Sequence, residues 1–290
     1  MSHLNDLAHP DVWRYPRVLS IAGSDSGGGA GIQADLKTMA ALGCYGMTAI
    51  TALTAQNTLG VRAIHAVPAS FLKEQIAAVV EDIGVDAVKI GMLHAPDIVE
   101  AVAWAIDTYR LPNVVLDPVM VATSGDTLIE PDTVQRLVHE LFPRATVVTP
   151  NLDEAGLLLG RALSDASELE AAAAELLQRG ARAVLLKGGH LSGEVVTDLL
   201  AIASEPAAFW VWLRGERIPS PNLHGTGCTL SSAIASYLAL GQTLEEAVQS
   251  AHAWVRQALQ AGAHVRLGQG SGPLNHGWAP QPMQLRRITG

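Results

Sequence analysis

The chain of 290 residues is poor in cysteine, in positive charge and in long apolar runs. Its two cysteines, Cys44 and Cys228, provide neither a disulfide framework nor the spacing of a zinc site. This scarcity favours a reduced, cytoplasmic setting. The formal net charge of −9 argues against a general nucleic-acid surface and against binding to anionic membranes. No apolar run reaches the roughly 18 residues of a membrane span, so no membrane partner is expected.

The composition that remains, 49% hydrophobic and 16% charged, is typical of a globular chain with a sizeable core. Residues 1–16 are polar, lack the apolar stretch of a signal peptide and are predicted to form a flexible leader. Residues 278–290 are predicted to form a C-terminal tail. No internal repeat and no linker rich in Gly, Ser or Pro divides residues 17–277, which are therefore predicted to be a single domain.

Short apolar runs alternate with amphipathic helical patterns along most of the chain. This βα alternation predicts an α/β domain with a largely parallel central sheet and helices on both faces. The helical period disappears over residues 193–219, where two runs predict an antiparallel meander. Ser167 with Glu170, and Thr243 with Glu246, have the spacing of capping boxes that begin helices. The predicted strands cover residues 18–22, 46–54, 86–93, 114–117, 146–149, 183–187, 195–200 and 209–213.

A glycine-rich stretch, residues 23–31, lies between the first predicted strand and a helix. Strand, loop and helix together indicate a ligand loop at the carboxyl end of a strand. The stretch superficially resembles a dinucleotide fingerprint. Asp35 and Lys37 fall on the helix, however, whereas a ribose-binding acid would lie on a second strand. The pattern therefore disfavours a Rossmann cofactor.

A second glycine-containing stretch, residues 222–229, runs into a helix whose apolar face begins at Leu230. Gly225 and Gly227 let the backbone approach a ligand, and the free N–H groups of a helix N-terminus bind phosphate or a developing anion. Cys228 lies in this stretch, where the helix dipole is expected to lower the pKa of its thiol. Alternatively, the glycines only form a turn and Cys228 is a small apolar residue. The spacing does not fit a Walker A loop.

Polar residues follow several of the predicted strands, and in parallel sheets ligands bind at that edge. Gln56 is either a solvated loop residue or the reader of a heterocycle's edge, because an amide offers both a donor and an acceptor. Asp117 either caps a turn or holds a metal or a water. Glu154 falls in the first turn of a helix, where a carboxylate is favourable without any further role.

Taken together, these motifs resemble those of the ribokinase-like superfamily, and within it the hydroxymethylpyrimidine/phosphomethylpyrimidine kinases of thiamine biosynthesis. The resemblance covers roughly residues 18–276 and implies a three-layer α/β/α sandwich with a mostly parallel sheet. The residues that carry it are 21–37, Thr54-Ala55-Gln56-Asn57-Thr58, Lys89-Ile90-Gly91-Met92-Leu93, Thr149-Pro150-Asn151-Leu152, Lys187-Gly188-Gly189-His190 and His224-Gly225-Thr226-Gly227-Cys228-Thr229.

The resemblance implies a reaction and a set of site residues. The γ-phosphoryl group of ATP would pass to the hydroxymethyl of 4-amino-5-hydroxymethyl-2-methylpyrimidine and then to its monophosphate, with Mg²⁺ as cofactor and a homodimer as the expected assembly. Catalysis would fall to Cys228 and the anion hole, and the carboxylates would associate with the metal. The implied residues are Gly23, Asp25, Ala30, Gln56, Met92, Val119 and Cys228 for the pyrimidine, Asn151, Lys187, Gly225 and Gly227 for ATP, Asp117 and Glu154 for the metal, and Gly225, Thr226, Gly227 and Cys228 for catalysis.

Two departures from the family pattern affect the nucleotide side. Leu223 stands where many members have threonine, and residues 218–221 lack a lysine that some relatives carry. Three functions therefore compete: the pyrimidine kinase, a pyridoxal or pyridoxine kinase of the same fold, and a non-catalytic pyrimidine-binding protein. Many sugar and pyridoxal kinases have Asp at the position of Cys228, so this cysteine favours the first.

Overall fold

The computed structural model describes residues 13–121, 128–130, 132–163, 165–189 and 193–287. Its helices are α1 (Gly31–Ala41), α2 (Ala69–Asp82), α3 (Pro96–Tyr109), α4 (Thr133–Leu141), α5 (Leu152–Leu159), α6 (Leu169–Gln178), α7 (Thr226–Ala239) and α8 (Leu244–Gly262). Its strands are β1 (Trp13–Arg14), β2 (Arg17–Asp25), β3 (Tyr45–Asn57), β4 (Gly60–Ala66), β5 (Ala87–Ile90), β6 (Val114–Leu116), β7 (Val147–Val148), β8 (Ala183–Leu186), β9 (Val195–Ile202), β10 (Phe209–Glu216) and β11 (Arg286–Arg287).

Nine of these strands form one sheet in the order β10-β9-β8-β7-β6-β5-β2-β3-β4. The strands from β8 to β3 run parallel, whereas β4, β9 and β10 are antiparallel to their neighbours. The chain adds β3 on one side of β2 and β5 on the other. This reversal creates a crevice at the carboxyl ends of β2 and β5, the place where such sheets bind ligands.

Adjacent strand residues point to opposite faces of the sheet, and each face packs against helices. Val18 and Val115 contact the layer formed by α1, α7 and α8, whereas Leu19 and Val114 contact the layer formed by α2 to α6. Burial on both faces explains why the central strands are short, continuous apolar runs. The predicted α/β fold with a mostly parallel sheet and the predicted meander are confirmed.

Several predicted boundaries differ from the observed ones. Strand β2 continues to Asp25 and so includes the start of the predicted loop, and β4 was not predicted at all. Helix α7 begins at Thr226 rather than near Leu230. The sequence also predicts a helix over residues 131–142; it occupies Thr133–Leu141, and residue 131 lies outside the described ranges.

One of the two predicted capping boxes is wrong. Helix α6 begins after a short 3-10 turn and has no side-chain cap from Ser167. Instead, the carboxylate of Asp165 accepts a hydrogen bond from the Ser167 N–H, and Glu168 accepts one from the Asp165 N–H. The box of Thr243 and Glu246 at the start of α8 is confirmed.

The C-terminal residues that the structure describes lie against the domain. The N–H groups of Gln281 and Gln284 donate to the carbonyls of Ala41 and Gly43, and β11 pairs with β1. Residues 1–12 of the predicted leader and 288–290 of the predicted tail fall outside the described ranges. Among the described helices, none combines the length and the apolar character needed to cross a membrane.

Candidate active site

A cavity of about 670 Å³ lies at the carboxyl ends of the parallel strands and reaches from β3 to α8. Every site residue expected from the sequence lines it, so the structure brings the whole set together. One end is apolar and the other end holds charged groups, with the N-terminus of α7 between them. The residues concerned are Gly23, Asp25, Ala30, Gln56, Met92, Asp117, Val119, Asn151, Glu154, Lys187, Gly225, Thr226, Gly227 and Cys228.

The apolar end is built from side chains that pack on the sheet beyond β2 and β3. Met92 and Leu128 are buried and cluster with the half-buried Val119. A Cβ at Gly23 would lie 2.7 Å from the Met92 methyl, so a larger residue there would displace the Met92 side chain. Gln56 is half-buried near the end of β3, and its side-chain oxygen accepts a hydrogen bond from Thr54 at 3.1 Å. This end suits a flat ring with one polar edge.

The glycine-rich loop after β2 is organised by the buried carboxylate of Asp25. This carboxylate accepts hydrogen bonds from the N–H groups of Gly27 (2.8 Å), Gly29 (3.0 Å) and Ala30 (2.8 Å). It also lies 2.9 Å from Nε2 of His224. Burial raises the pKa of Asp25, but the bonds from His224, Ala30 and Gly27 outweigh it and hold the pKa below its ordinary value. Asp25 thus shapes the loop, and its role as a pyrimidine ligand stays a prediction.

The two glycine-containing stretches are locked together at Gly225. This residue adopts φ of 80°, which L side chains rarely reach, and a Cβ there would collide with the backbone of Gly29. The His224–Asp25 bond lies beside this contact. The loop after β2 and the start of α7 are therefore held against each other, although Asp25 and His224 are 199 residues apart in the chain.

Helix α7 begins against the cavity without a side-chain cap. The N–H of Thr226 donates to the Leu223 carbonyl, and that of Thr229 donates to the Gly225 carbonyl. The first-turn N–H groups of Gly227 and Cys228 have no acceptor within a helix. Together with the dipole they provide positive potential for an anion. Helix α7 starts at Thr226, so its first turn lies inside the glycine-containing stretch of residues 222–229 and does not follow it.

The thiol of Cys228 does not have the lowered pKa that its position predicted. The residue is half-buried. Burial raises the pKa of the thiol to about 11, and the nearby Lys89 ammonium and the Gly31 N–H only partly oppose that effect. The helix dipole argument fails here because the cost of removing a thiolate from water exceeds the gain from the helix N-terminus. The burial of the sulfur therefore favours the neutral thiol at pH 7.

A cluster of one lysine and two carboxylates lies beside the start of α7. Lys187 Nζ is 3.1 Å from Asp117 Oδ1 and 3.9 Å from Glu154 Oε2. A Cβ on Gly227 would lie 3.3 Å from Lys187 Nζ and 3.6 Å from Asp117 Oδ2. Asp117 also accepts hydrogen bonds from Thr149 and Ser231, both at 3.2 Å. The absence of a side chain on Gly227 thus leaves the cluster open to the cavity.

Glu154 has a structural and an electrostatic role at once. It forms a capping box with Asn151 at the start of α5: each side chain accepts a hydrogen bond from the other residue's N–H, at 2.7 and 2.8 Å. The expectation of a helix-capping carboxylate is met. Burial, with a smaller effect from Asp117, raises the pKa of Glu154 to about 7 although Lys187 opposes the shift. The cluster is therefore short of positive charge.

The shortage of positive charge beside Asp117 and Glu154 suits the binding of a divalent cation. The donors are hard carboxylate oxygens, which Mg²⁺ prefers, and a cation would oppose the rise in the Glu154 pKa that burial and Asp117 cause. Within the described residues, no group of three or more His, Cys, Asp and Glu forms a complete cation site. Two carboxylates with room for water and phosphate oxygens match the usual way in which Mg²⁺ is held.

Sequence reasoning missed several residues of the cavity. Val196, Asp198, His252, Val255 and Leu259, from β9 and α8, line the end beyond Lys187. The sequence pattern placed Val255 and Leu259 on the apolar face of the last helix, and Val196 and Asp198 on a strand, but nothing in it indicated that these residues line the site. Lys89 was quoted only as part of a motif. Its place between Val88 and Ile90 in an apolar strand was the signal that could have identified a buried charge.

Residues 25–275 match the family model described as phosphomethylpyrimidine kinase. A hydroxymethylpyrimidine/phosphomethylpyrimidine kinase from Rhizobium meliloti is 51% identical over 260 residues, which cover 89% of this chain and 96% of the relative. The chain belongs to the phosphomethylpyrimidine kinase family. The family, the fold class and the kinase nature of the enzyme expected from the sequence are thereby confirmed.

Two solved structures of similar proteins agree with this membership of the phosphomethylpyrimidine kinase family. The crystal structure of a phosphomethylpyrimidine kinase from Clostridium difficile superposes with a TM-score of 0.72 at 42% identity, covering 84% of this chain and 99% of the other. An ADP complex of Bacillus subtilis pyridoxal kinase superposes with a TM-score of 0.83 at 38% identity, covering 91% and 98%. Fold similarity alone therefore does not distinguish the two substrates.

Proposed function

We propose that the protein transfers the γ-phosphoryl group of ATP to the hydroxymethyl group of 4-amino-5-hydroxymethyl-2-methylpyrimidine, and then phosphorylates the monophosphate, for thiamine biosynthesis. The observation that carries this proposal is the layout of the cavity. An apolar ring pocket with one amide lies at one end, a charged cluster lies at the other, and the first turn of α7 lies between them. The reacting hydroxyl and the transferred phosphoryl group would meet at that turn.

The ring would bind between Met92 and Val119 with its aminopyrimidine edge toward Gln56. An amide donates to a ring nitrogen and accepts from an exocyclic amino group, which is the pairing that this edge offers. Gly23 and Ala30 leave the opposite wall free of bulky side chains. These residues position the ring so that its hydroxymethyl arm points toward Cys228.

The triphosphate would lie along the charged end, near Asn151, Lys187 and the first turn of α7. Phosphoryl transfer depends mainly on positioning and on neutralising charge, and Lys187 with the N–H groups of Gly227 and Cys228 can do both. Asp117 and Glu154 would hold Mg²⁺ through oxygen ligands. Such an ion would neutralise part of the charge on the phosphate oxygens.

Cys228 is our proposed acceptor for the proton of the substrate hydroxyl. Cys228 lines the cavity, and its N–H lies in the first turn of α7, where we expect the transferred group to bind. Because the pKa of the thiol is raised to about 11, only a small fraction is thiolate at neutral pH. A base role therefore depends on the charges that surround the sulfur.

A second candidate function is phosphorylation of pyridoxal or pyridoxine, favoured by the similarity to the pyridoxal kinase of Bacillus subtilis. The experiment that separates the two measures ADP formation from ATP with the pyrimidine, its monophosphate, pyridoxal and pyridoxine. We expect the highest kcat/KM with the pyrimidine and turnover of its monophosphate. A preference for the pyridine rings would reject the proposal in favour of the second function. Binding of the pyrimidine without any turnover would indicate a binding protein.

We also propose a homodimeric, cytoplasmic enzyme, on the resemblance to the family alone. The assembly is measured by light scattering of the purified protein, and a mass near that of one chain would reject the dimer. The division into a leader (1–16), a kinase domain (17–277) and a C-terminal tail (278–290) likewise stays a prediction.

A further inference from the structure

A fully buried ion pair lies beneath the start of α7. Lys89, on β5, and Asp35, on α1, each have 0% exposure, and Lys89 Nζ is 2.9 Å from Asp35 Oδ2. Asp35 also accepts hydrogen bonds from Ser20 at 2.5 Å and from Ser232 at 2.6 Å. Both carboxylate oxygens of Asp35 thus have partners. Since Ser20 and Ser232 fix this carboxylate, it in turn fixes the position of the Lys89 ammonium.

This pair is unlike the ion pairs on the surface of the molecule. Removing two charges from water costs several kcal/mol per ion, about as much as their attraction returns, so apolar side chains of equal volume would often be as stable. Stability alone is therefore a weak reason for a lysine and an aspartate in this part of the core. The location of the pair suggests another reason.

Helices α1 and α7 contact each other through Ser232, which donates a hydrogen bond to Asp35. Cys228 lies four residues before Ser232 on α7, and Gly31 lies four residues before Asp35 on α1. The spacing is four residues on both helices, or about one turn. The Lys89–Asp35 pair thus lies one turn below the thiol.

The ammonium also reaches the cavity that holds the thiol. Lys89 and Cys228 both line it. A Cβ on Gly91 would lie 2.8 Å from Lys89 Nζ, so glycine at this position avoids a clash with the ammonium. An ammonium carries three N–H groups, and within the described chain the bond to Asp35 is the one that Lys89 donates.

Four charged groups act on the sulfur from the elements packed around it. Lys89 on β5 and Lys187 after β8 favour a thiolate, whereas Asp35 on α1 and Asp117 after β6 oppose it. Among these charges, Lys89 has the largest effect on the thiol. Burial lowers the pKa of Lys89 itself, but Asp35, Cys228 and Asp117 together outweigh burial and raise that pKa, so the ammonium stays charged.

We propose that Lys89, held in place by Asp35, is a positioning residue for the phosphoryl transfer: its ammonium stabilises negative charge on the Cys228 sulfur at the floor of the cavity. The inference rests on the proposed function, in which Cys228 accepts the hydroxyl proton. In that step the O–H bond of the substrate breaks, an S–H bond and a new O–P bond form, and the bond from phosphorus to the ADP oxygen breaks. The thiol then loses its proton to solvent before the next turnover.

The test compares the pH dependence of Cys228 alkylation by iodoacetamide in the wild type and in the double variant Lys89→Met/Asp35→Asn. Alkylation needs neither ATP nor pyrimidine, and mass spectrometry of peptides separates Cys228 from the buried Cys44. The double variant loses both charges, so no unpaired ion stays in the core. Because the effect of Lys89 on the thiol exceeds the opposing effect of Asp35, we expect its alkylation curve to move to higher pH and its rate at pH 8 to fall below that of the wild type. The kcat should fall with it, at nearly constant pyrimidine KM.

The matched control is Lys73→Met, which removes a lysine charge that lies over Trp104, away from the cavity. Its alkylation curve and kcat should equal those of the wild type. If the double variant does not fold, as judged by its thermal transition, Lys89→Gln replaces it, since the amide still donates to Asp35. A shift in the same direction is expected, and it should be larger because Asp35 still opposes the thiolate. An unchanged alkylation curve in either folded variant overturns the inference. Failure of the wild type to phosphorylate the pyrimidine would reject the proposed function, whereas the alkylation curves would still decide the role of Lys89.

Discussion

At the scale of single residues, two features of the surroundings of Cys228 have opposite effects on the charge of its thiol. The start of α7 favours negative charge, yet burial raises the pKa of the thiol to about 11. Below that value the thiolate fraction grows about tenfold for each pH unit. As a base, Cys228 would act through its small thiolate fraction, which the nearby lysines increase.

The first prediction concerns this thiol. Cys228→Ser should fold normally and keep the KM for ATP and pyrimidine, while kcat falls by about 10²–10⁴-fold, the usual contribution of a general base. Cys228→Asp should recover part of the activity, because a carboxylate can accept the proton. Steady-state kinetics from pH 6.5 to pH 9 should show kcat rising with pH in the wild type but not in Cys228→Asp. Near wild-type turnover in Cys228→Ala would reject the base and leave the first turn of α7 as the main catalyst.

The second prediction concerns ring recognition by Gln56. Gln56→Leu preserves size but removes the donor and the acceptor that would face the aminopyrimidine edge. An unpaired polar group in a closed site costs about 1–3 kcal/mol, which corresponds to roughly a tenfold to hundredfold higher pyrimidine KM. The KM for ATP should change little. If the ratio of pyrimidine to pyridoxine turnover is the same as in the wild type, Gln56 does not read the ring.

At the scale of secondary structure elements, the functional groups lie where strands end and helices begin. Glu154 shows how one position serves both structure and charge, because it caps α5 through Asn151 and also faces Asp117 and Lys187. Glutamine is equally suited to the capping box, so the two roles can be separated by one substitution.

The third prediction uses Glu154→Gln. The folded-state pKa of about 7 exceeds the ordinary 4.5, so the folded protein binds more protons than the unfolded chain between these values. The wild type therefore loses stability as pH rises through this window, and the glutamine variant should not. Melting temperatures should match near pH 5 and favour the variant at pH 8. Mg²⁺-dependent use of ATP should fall while the pyrimidine KM persists. Equal loss of both substrates, with a lower melting temperature at pH 8, would assign Glu154 to the helix cap alone.

The fourth prediction concerns the loop after β2, which Asp25 organises. Asp25→Asn replaces an acceptor of four hydrogen bonds by an amide that would direct N–H groups at other donors. Unfolding should become easier by about 1–3 kcal/mol, the cost of leaving a buried group unpaired. The matched control is Asp107→Asn, because the Asp107–Arg144 pair lies at the surface and such pairs contribute about 0–1 kcal/mol.

The contribution of Asp25 to stability should also depend on pH, and the direction follows from its lowered pKa. The pKa of Asp25 is lowered from its ordinary value of 3.8, so its stabilising contribution is present above that value and is lost as the pH falls below it. Urea unfolding at pH 7 and at pH 3 should show a smaller difference for Asp25→Asn than for the wild type. An equal effect of Asp25→Asn and Asp107→Asn at pH 7 would contradict the organising role.

At the scale of the whole molecule, the central sheet and the cavity were predictable because burial on both faces leaves a strong pattern in short strands. Strand β4 was missed because it lies at the edge of the sheet, where Arg62, Ala63 and His65 are exposed and no apolar run forms. The start of α7 was misplaced because Gly227 and Thr226 are weak helix formers, and contacts with the loop after β2 determine that end.

Long-range electrostatics was the part that sequence could not supply. Lys89 and Asp35 are 54 residues apart, and neither periodicity nor spacing links them. The raised pKa of Cys228 likewise depends on how many other elements cover it, whereas a local helix argument gives the opposite sign. Patterns along the chain identify which residues meet at a sheet edge, but not how much water the folded chain leaves around them.

The last prediction concerns the C-terminal segment, which lies across the molecule far from the cavity. Deleting residues 281–290 removes the hydrogen bonds from Gln281 to Ala41 and from Gln284 to Gly43, as well as the pairing of β11 with β1. The two hydrogen bonds alone contribute about 1–3 kcal/mol, so the melting temperature should fall while both KM values persist. Cys44, buried with a thiol pKa near 12, should become open to alkylation at pH 8, because the segment lies against its neighbour Gly43. A deletion that melts like the wild type and keeps Cys44 protected would show that the segment adds nothing to the fold, and a change in the pyrimidine KM would instead connect it to the site.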